Sequence, residues 1–454
     1  MRLATELGRG FQRLGRLRSY SDGTEAIPEA ATEQMRVAYA RFLRLSRLNF
    51  GHLITSAVTS RMVPTGFRTA AAGDEDGDAL AMATWRRSHL DIVSRDLFDD
   101  VATYGAGYTL NDAAGQILKL SPWSTLTEAS PLTPWSPDAG INVGHNPAEG
   151  FDVITLFRPA TDGRPAYSRR AAKESKLSTI PTDGRLWMPG RGWDWIEDPQ
   201  PIRWISDIPI VDYRAPKGFG QFEPHLDTLD RINHTILQRL TITAMQAFRQ
   251  RAFKGNIPTT YPDDHPLAGQ PVDLDSIFSA GPAALWILPE GADVWESQTT
   301  DITPILAGVD KDLKYLAAVS STPLYILSPD AASGSAAGAS LARETLVFKV
   351  EDLDARMGDG LARAMGNSFA AQGDNERADV AQIETIWQPA DRSSIIERAA
   401  AAASAATTLS RRSIGEKIYQ LTPAELAREE QNWSDQAFTA VPVAPAAPPV
   451  AVNG

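Results

Sequence analysis

Residues 323–365 read PLYILSPDAASGSAAGASLARETLVFKVEDLDARMGDGLARAM, a stretch that joins a loop of small residues to a long amphipathic helix. From Leu346 onward, apolar residues recur at steps of three and four and mark one helix face: Val350, Leu353, Met357, Leu361, Met365 and Phe369. The segment between Pro329 and Leu341 has too little apolar surface to offset the entropy lost on ordering it. We therefore predict a mobile loop hinged directly onto a packed helix.

The composition describes an acidic chain without cysteine. At 454 residues it exceeds the usual size of a single hydrophobic core, so two or more domains are expected. The lack of cysteine excludes disulfides and thiolate metal sites and is typical of a protein made in a reducing cytoplasm. A net charge of −12 has the wrong sign for gripping nucleic acid by counterion release, so any contact with DNA should be local and weak.

Membrane and export signals are missing from the sequence pattern. No apolar run approaches the roughly 18 residues that span a bilayer, so no membrane association is expected. Residues 1–20 carry five arginines without the apolar stretch of a signal peptide, and we expect them to form an exposed arm.

The first half of the chain predicts helices followed by a β-rich part. Helical spacing of apolar residues indicates one helix over residues 32–62 and a second over residues 78–104. Residues 108–120 are typical of a hairpin that turns at Asn111–Asp112. Between residues 121 and 205 the helical period is lost, and short runs such as 152–157 predict strands between long loops.

The second half predicts a small module carried between two long helices. One helix is expected from Glu223 to Phe253 and another from Ile302 to Ser320, flanking a Pro- and Gly-rich insertion with a short strand at 284–288. A strand is expected at 383–387, and capping boxes at Ser394 and Thr422 predict two short helices near the end. Residues 441–454 lack periodicity and should be disordered.

Motifs that would indicate an enzyme are weak or missing. Neither a phosphate-binding loop nor a dinucleotide fingerprint is present, and the six histidines never take the spacing of a helical metal pair. Asp74, Asp263 and Asp264 are the carboxylates that a nuclease or terminase-like ATPase could use, although a polar loop is the simpler interpretation. No cofactor and no metal are predicted. The tryptophans of residues 185–204 suit either a binding platform or packing between subunits.

Three segments and the order of the predicted elements resemble the portal proteins of tailed bacteriophages, of the siphophage type found in phages of Actinobacteria. The segments are TWRRSHLD at 84–91 leading into VATYGAGY at 101–108, VSSTPLYIL at 319–327, and SGSAAGASLARE at 333–344 with its helix. The resemblance covers residues 32–433. Arg87–Ser88 departs from the family pattern, in which a small polar residue is common, and the resemblance implies no role for residues 185–204.

The resemblance implies an α+β portal fold and its subdivisions. Residues 1–31 would be an N-terminal arm, 32–222 the wing, 223–253 and 302–321 the two stem helices, and 254–301 a small α/β clip. Residues 322–340 would form the tunnel loop, 341–375 the tunnel helix, 376–390 a wing strand, 391–435 a helical crown and 436–454 a disordered tail. All of these bounds are expectations.

The resemblance also implies a non-enzymatic function, partners and contact residues. A homo-oligomeric ring, dodecameric in the family, would sit at the capsid vertex of the virion after assembly in the host bacterial cytoplasm. It would contact the major capsid protein, dock the large terminase and then a head–tail connector, and pass double-stranded DNA during packaging and ejection. Another virion structural protein, an adaptor or capsid subunit, is the alternative, and a DNA-processing enzyme is a weaker one.

Two sets of contact residues follow from this assignment. The loop residues expected to face DNA are Thr322, Pro323, Ser328, Asp330, Ser333, Gly334, Ser335 and Gly338. The clip residues expected to dock partners are Tyr261, Asp263, Asp264, His265, Asp273 and Asp275.

Overall fold

The computed structural model describes residues 2–25, 33–69, 71, 77–131, 133, 136–146, 150–161, 163–174, 192–247, 251–254, 260–261, 263–264, 266–271, 293–296, 300–328, 336–391 and 394–439. The chain combines helices with sheets, which confirms the predicted α+β class. It divides into two compact units. The first comprises Met1–Ala26, Leu48–Asp230 and Leu313–Gly454, and the second comprises Ile27–Arg47 and Arg231–Asp312.

The helices are α1 (Arg2–Asp22), α2 (Glu33–Ser46), α3 (Phe50–Thr59), α4 (Ala79–Arg87), α5 (Leu90–Tyr104), α6 (Leu226–Ala247), α7 (Thr303–Val319), α8 (Leu324–Leu327), α9 (Ala336–Gln372), α10 (Ile395–Ala405), α11 (Arg411–Lys417) and α12 (Pro423–Thr439). The strands are β1 (Pro64–Arg68), β2 (Ala106–Asn111), β3 (Ile117–Leu120), β4 (Thr125–Ala129), β5 (Pro137–Asn146), β6 (Phe151–Arg158), β7 (Ala166–Glu174), β8 (Asp194–Trp195), β9 (Gln200–Ile202), β10 (Ile210–Arg214), β11 (Arg251–Lys254), β12 (Asp293–Glu296) and β13 (Glu384–Trp387).

The strands of the first unit form three antiparallel groups. The largest sheet has the order β4-β5-β6-β7-β8, with β9 pairing to β7, and confirms the β-rich part predicted for residues 121–205. A second sheet has the order β10-β2-β3 and contains the predicted hairpin. Its turn comprises residues 112–116 and not Asn111–Asp112, because Asn111 pairs with Ile117. The third group is a ribbon in which β1 pairs with β13, joining parts of the chain that are far apart in sequence.

The main core of the first unit is built around α9. All seven apolar residues predicted to stripe this helix are buried, from Leu346 to Phe369. They pack with side chains of α3, α4, α5, β10 and β13 in one continuous cluster that includes Trp85, Phe98 and Tyr213. The three- and four-residue spacing therefore identified the core face of α9 correctly.

The N-terminus differs most from the prediction. Residues 2–22 do not form an exposed arm but the amphipathic helix α1, whose buried residues recur at helical spacing: Leu3, Leu7, Phe11, Leu14 and Leu17. Phe11 stacks on Trp123 with ring centroids 5.5 Å apart, so α1 packs against the six-stranded sheet. The arginines lie on the other side, where Arg13 Nε donates to Glu223 Oε1 at 2.7 Å.

Each of the two segments predicted as one continuous helix, residues 32–62 and residues 78–104, forms two helices. Between α2 and α3, Asn49 acts as an N-cap, because its side-chain oxygen accepts a hydrogen bond from the His52 backbone N–H at 3.2 Å. Between α4 and α5, His89 adopts left-handed backbone angles with φ of 54°. Both breaks are local backbone events that leave the apolar spacing intact, which is why periodicity did not reveal them.

Helix ends also differ from the predicted bounds. Helix α9 begins at Ala336, five residues before Leu341, because alanine favours helix even where there is little to bury. Helix α6 ends at Ala247 instead of Phe253, since Arg251–Lys254 pairs as a strand with β12. Three helices, α10 to α12, replace the two expected near the end. Both capping boxes are present: the Glu397 and Glu425 carboxylates accept hydrogen bonds from the Ser394 and Thr422 backbone N–H groups.

The second unit contains parts of α6 and α7 and the β11–β12 pair. Arg231 Nε donates to Asp312 Oδ2 at 3.0 Å and links the two helices within this unit. The predicted strand at 284–288 and the tail from residue 440 lie outside the described residues.

Candidate functional site

Helix α9 is fixed in the first unit by polar contacts as well as by its apolar face. Arg363 Nη2 donates to the Asp212 carbonyl on β10 at 2.9 Å, and Asn111 Nδ2 donates to the Ala364 carbonyl at 2.8 Å. Near the end of the helix, Ser368 Oγ donates to the Gly115 carbonyl. These bonds satisfy buried polar groups and hold the helix in one position along its axis.

A close contact between α9 and β10 adds to this rigidity. Gly360 lies so near Tyr213 that a β-carbon at this position would be 2.4 Å from Tyr213 Cδ1. Tyr213 is fully buried, and its hydroxyl is 3.2 Å from Thr109 Oγ1. Burial raises the pKa of Tyr213 well above its usual range. The missing side chain of Gly360 is therefore a packing requirement of this helix pair.

The face of α9 opposite the core is acidic. Between Arg343 and Arg363, the exposed positions carry four carboxylates, one guanidinium and the apolar Phe348: Glu344, Thr345, Phe348, Glu351, Asp352, Ala355, Arg356 and Asp359. The guanidinium of Arg356 pairs with Asp352 on the next turn at 3.0 Å. Asp359 pairs in the same way with the half-buried Arg363, at 3.1 Å. The exposed positions of this face still carry more negative than positive charge.

One lysine lies on the border of this face and reaches another helix. Lys349 Nζ donates to the Ser320 carbonyl, just beyond the C-terminal end of α7, at 2.8 Å. Burial lowers the pKa of Lys349 to about 8. The pKa of His225 is also lowered, first by burial and then by the charge of Lys349. Lys349 thus binds α9 to the end of α7, immediately before the segment that leads into α8.

An acidic residue lies on the opposite border of the same face. Asp354 is 7% exposed, and its Oδ1 has no hydrogen-bond partner among the described residues. Burial, and to a lesser extent the nearby charge of Glu351, raise the pKa of Asp354 to about 7. The sequence-based prediction missed both Lys349 and Asp354. Asp354 lies four residues after Val350 and three before Met357, so its position on the apolar stripe was the available signal.

The loop residues predicted to face DNA do not lie together on one exposed surface. Thr322 is only 1% exposed and Pro323 is buried, and the expectation that these two side chains face DNA stays a prediction. They enter the core because the Thr322 backbone N–H bonds to the Ala317 carbonyl at 3.0 Å and caps α7. Ser328 is half-buried after α8, and Gly338 belongs to α9. Asp330, Ser333, Gly334 and Ser335 lie outside the described residues.

The residues predicted to dock partners are partly described. Tyr261 is half-buried, and its backbone N–H donates to the Gln270 carbonyl at 3.0 Å across a turn. Asp263 and Asp264 are exposed in that turn, as expected of a polar loop tip. His265, Asp273 and Asp275 lie outside the described residues, as does Asp74, the third carboxylate of the enzyme alternative.

The tryptophan-rich segment is described from residue 192. Trp195 is 44% exposed, and the guanidinium of Arg169 lies 4.2 Å from the centroid of its ring. Trp193 is half-buried against the core beneath α1, and Trp204 is half-buried, while Trp187 lies outside the described residues. These positions leave both interpretations of the segment open.

In the described part of the chain, no group of three or more His, Asp or Glu side chains is arranged to hold a metal ion. None of the helices in that part is long and apolar enough to cross a bilayer.

Comparison with known proteins finds similar chains among solved structures. No protein-family model matches the chain, and no curated protein matches it. The chain is similar to a structure described as "Neck of empty GTA particle computed with C6 symmetry", with a TM-score of 0.42 and 14% identity over 88% of this chain and 96% of that chain.

Proposed function

We propose that this chain is the subunit of a portal-type ring at the vertex of a phage-like capsid, where it forms the channel for DNA. The proposal rests on the resemblance of residues 84–108, 319–327 and 333–344 to portal proteins. The observation that carries it furthest is α9, a 37-residue helix with one buried face and one acidic face. At 1.5 Å per residue this helix is roughly 55 Å long, enough to line a channel.

The acidic face suits a surface along which DNA slides. Double-stranded DNA carries one negative charge per roughly 1.7 Å of its axis, so basic residues at the channel wall would create a salt-dependent energy well at every step. Carboxylates repel the phosphates instead. Their effect is confined to about 8 Å at physiological ionic strength, so they act on a duplex that comes close and not on one at a distance. Glu344 and Glu351 are two exposed carboxylates of this face and take this role in the proposal.

The remaining parts of the chain take the corresponding roles in the proposal. Residues 254–301 dock the terminase and later a connector protein, residues 322–340 contact DNA loosely, and residues 391–435 form the crown. The loop contact would come from residues beyond Pro323, since Thr322 and Pro323 are buried. The major capsid protein is the proposed partner at the outer side of the ring.

Electron microscopy of the purified protein tests the assembly. We expect rings with a central channel in negative stain, with a mass in solution of several times 49.2 kDa. A strictly monomeric protein at high concentration, with no rings in any micrograph, would contradict the proposal. Flat sheets or shells would favour a capsid subunit instead.

A charge-reversal experiment tests the acidic channel surface. The double variant Glu344→Lys and Glu351→Lys should still form rings but should retain a 30-base-pair duplex at low salt, measured by fluorescence anisotropy. The matched control is Asp138→Lys with Asp198→Lys, which changes the charge equally at exposed positions in and beside the six-stranded sheet. Equal DNA retention by the two double variants would show that α9 does not face the duplex.

A further inference from the structure

A cleft separates the β1–β13 ribbon from the turn between α11 and α12. Its volume is about 340 Å³. One wall consists of six consecutive residues, 384–389, and the opposite wall includes residues 420–423 and Leu426. Arg68 ties the two walls at one end, because its guanidinium lies 3.1 Å from a Glu384 oxygen and 3.8 Å from a Glu416 oxygen. Arg68 of β1 therefore connects β13 on one side of the cleft with α11 on the other.

The lining of the cleft is partly apolar and partly charged, with Arg68, Glu384 and Glu416 among its residues. Ile386, Trp387, Leu421 and Leu426 contribute apolar surface, and Pro389 and Pro423 contribute more. Among the described strands, β13 pairs only with β1. Aromatic and apolar grooves with a few polar groups are the type of site that recognises polyproline II segments.

The chain itself contains a segment with the matching chemistry. Residues 440–454 read AVPVAPAAPPVAVNG and carry no charge. Pro442, Pro445 and Pro448 occur at every third position, and polyproline II has three residues per turn, so these prolines would lie along one edge of such a helix. Proline also restricts the unbound chain, which lowers the entropy lost on docking.

The position of α12 brings this segment within reach of the cleft. Thr422 and Pro423, at the start of α12, line the cleft, and the helix ends at Thr439. Its 17 residues span roughly 25 Å at 1.5 Å per residue. A polyproline II segment covers the same distance with about eight residues at 3.1 Å each. A tail that runs back along α12 therefore brings residues near Pro448 to the cleft of its own chain.

The geometry points to an intramolecular docking site: the residues around Pro448 bind in the cleft between β13 and the α11–α12 turn of the same chain. Composition predicts disorder for this tail, whereas docking gives it one conformation and covers Trp387 and Leu421. The inference does not depend on ring formation, and its test can be read on monomer or ring alike.

Because the chain has no cysteine, a pair of introduced cysteines reports the contact without background. The test variant combines Pro448→Cys with Gln388→Cys in the cleft, and the control combines Pro448→Cys with Ala113→Cys, an exposed turn residue far along the chain. Mild oxidation followed by a non-reducing gel measures the disulfide. We expect an intramolecular disulfide at a rate about tenfold above that of the control, because docking raises the effective concentration.

Two further measurements complete the test. An excess of synthetic peptide with the sequence of residues 441–452 should compete with the tail and lower the disulfide yield. Truncation after Thr439 should speed hydrogen exchange in β13 and the α11–α12 turn. Equal rates for the two cysteine pairs, a disulfide that joins two chains, or unchanged exchange after truncation would each overturn the inference.

Discussion

Asp354 is a carboxylic acid that α9 buries, and its Oδ1 has no hydrogen-bond partner in the described part of the chain. Burial raises its pKa from 3.8 in the unfolded chain to about 7 in the folded protein. Between pH 3.8 and pH 7 the folded state holds a proton that the unfolded state has released. The protonated Asp354 therefore contributes stability that is fully present below pH 4 and is lost as the pH rises through 7.

We predict that Asp354→Asn stabilises the protein at pH 8 but has little effect at pH 4. The expected gain is on the order of 1–3 kcal/mol, since an amide cannot ionise and buried unpaired charges are costly. Urea denaturation at several pH values measures it. Asp352→Asn, an exposed neighbour on the same helix, is the control and should change the midpoint little. A loss of stability at pH 8 would show that the carboxylate has a stabilising partner.

At the scale of single elements, α9 depends on the close approach between Gly360 and Tyr213. We predict that Gly360→Ala destabilises the protein by about 1–3 kcal/mol, because the new methyl group would overlap the tyrosine ring. Gly308→Ala on α7 is the matched control: nothing lies within 4 Å of a β-carbon there, so the change should stabilise by up to about 1 kcal/mol through helix propensity. Thermal denaturation measures the change in stability of each variant. If both substitutions stabilise the protein, or both destabilise it, the prediction is wrong.

Helix α1 provides a second prediction at this scale. Phe11 is 1% exposed and stacks on Trp123, so Phe11→Ala should cost about 3–5 kcal/mol and expose the sheet beneath it. Arg9→Ala, on the exposed side of the same helix, should cost less than about 0.5 kcal/mol. Chemical denaturation measures both. Tolerance of Phe11→Ala would mean that α1 is the loosely attached arm that the sequence first suggested.

These elements show what the sequence could predict. The apolar residues from Leu346 to Phe369 identified α9 and its buried face. A helix that packs against a core along its whole length needs an apolar residue every three to four positions. The same spacing was present from Leu3 to Leu17, but the arginines among those residues favoured a solvent-exposed interpretation. The breaks at Asn49 and His89 could not be predicted from periodicity, because each depends on one local backbone conformation.

The candidate site was less predictable than the fold. Its acidic face follows from the sequence once the buried face of α9 is known. The burial of Thr322 does not, because it depends on how the chain leaves α7. The contact between Lys349 and Ser320 joins residues that are distant in sequence, and neither residue has a local signal for it.

At the scale of the whole molecule, the main core is assembled from distant parts of the chain. It combines residues 58–117, 211–215 and 346–390. We predict that a protein truncated after Ser328 is insoluble or molten, since it lacks α9 and β13, whereas truncation after Thr439 leaves the core folded. Circular dichroism and limited proteolysis measure the difference. A soluble, cooperatively unfolding product of residues 1–328 would show that the first part folds without α9.

The pairing of β1 with β13 has a consequence for synthesis. When Phe67 leaves the ribosome, the strand that covers it does not yet exist, because Thr385 is its partner in the ribbon. At 5–20 residues per second, the ribosome needs roughly 15–60 s to add the intervening chain. During this time Phe67, Trp85 and Phe98 lack the side chains of α9 that bury them. Nascent copies on one messenger RNA therefore display the same apolar surface side by side, and holding chaperones should bind them before α9 is translated.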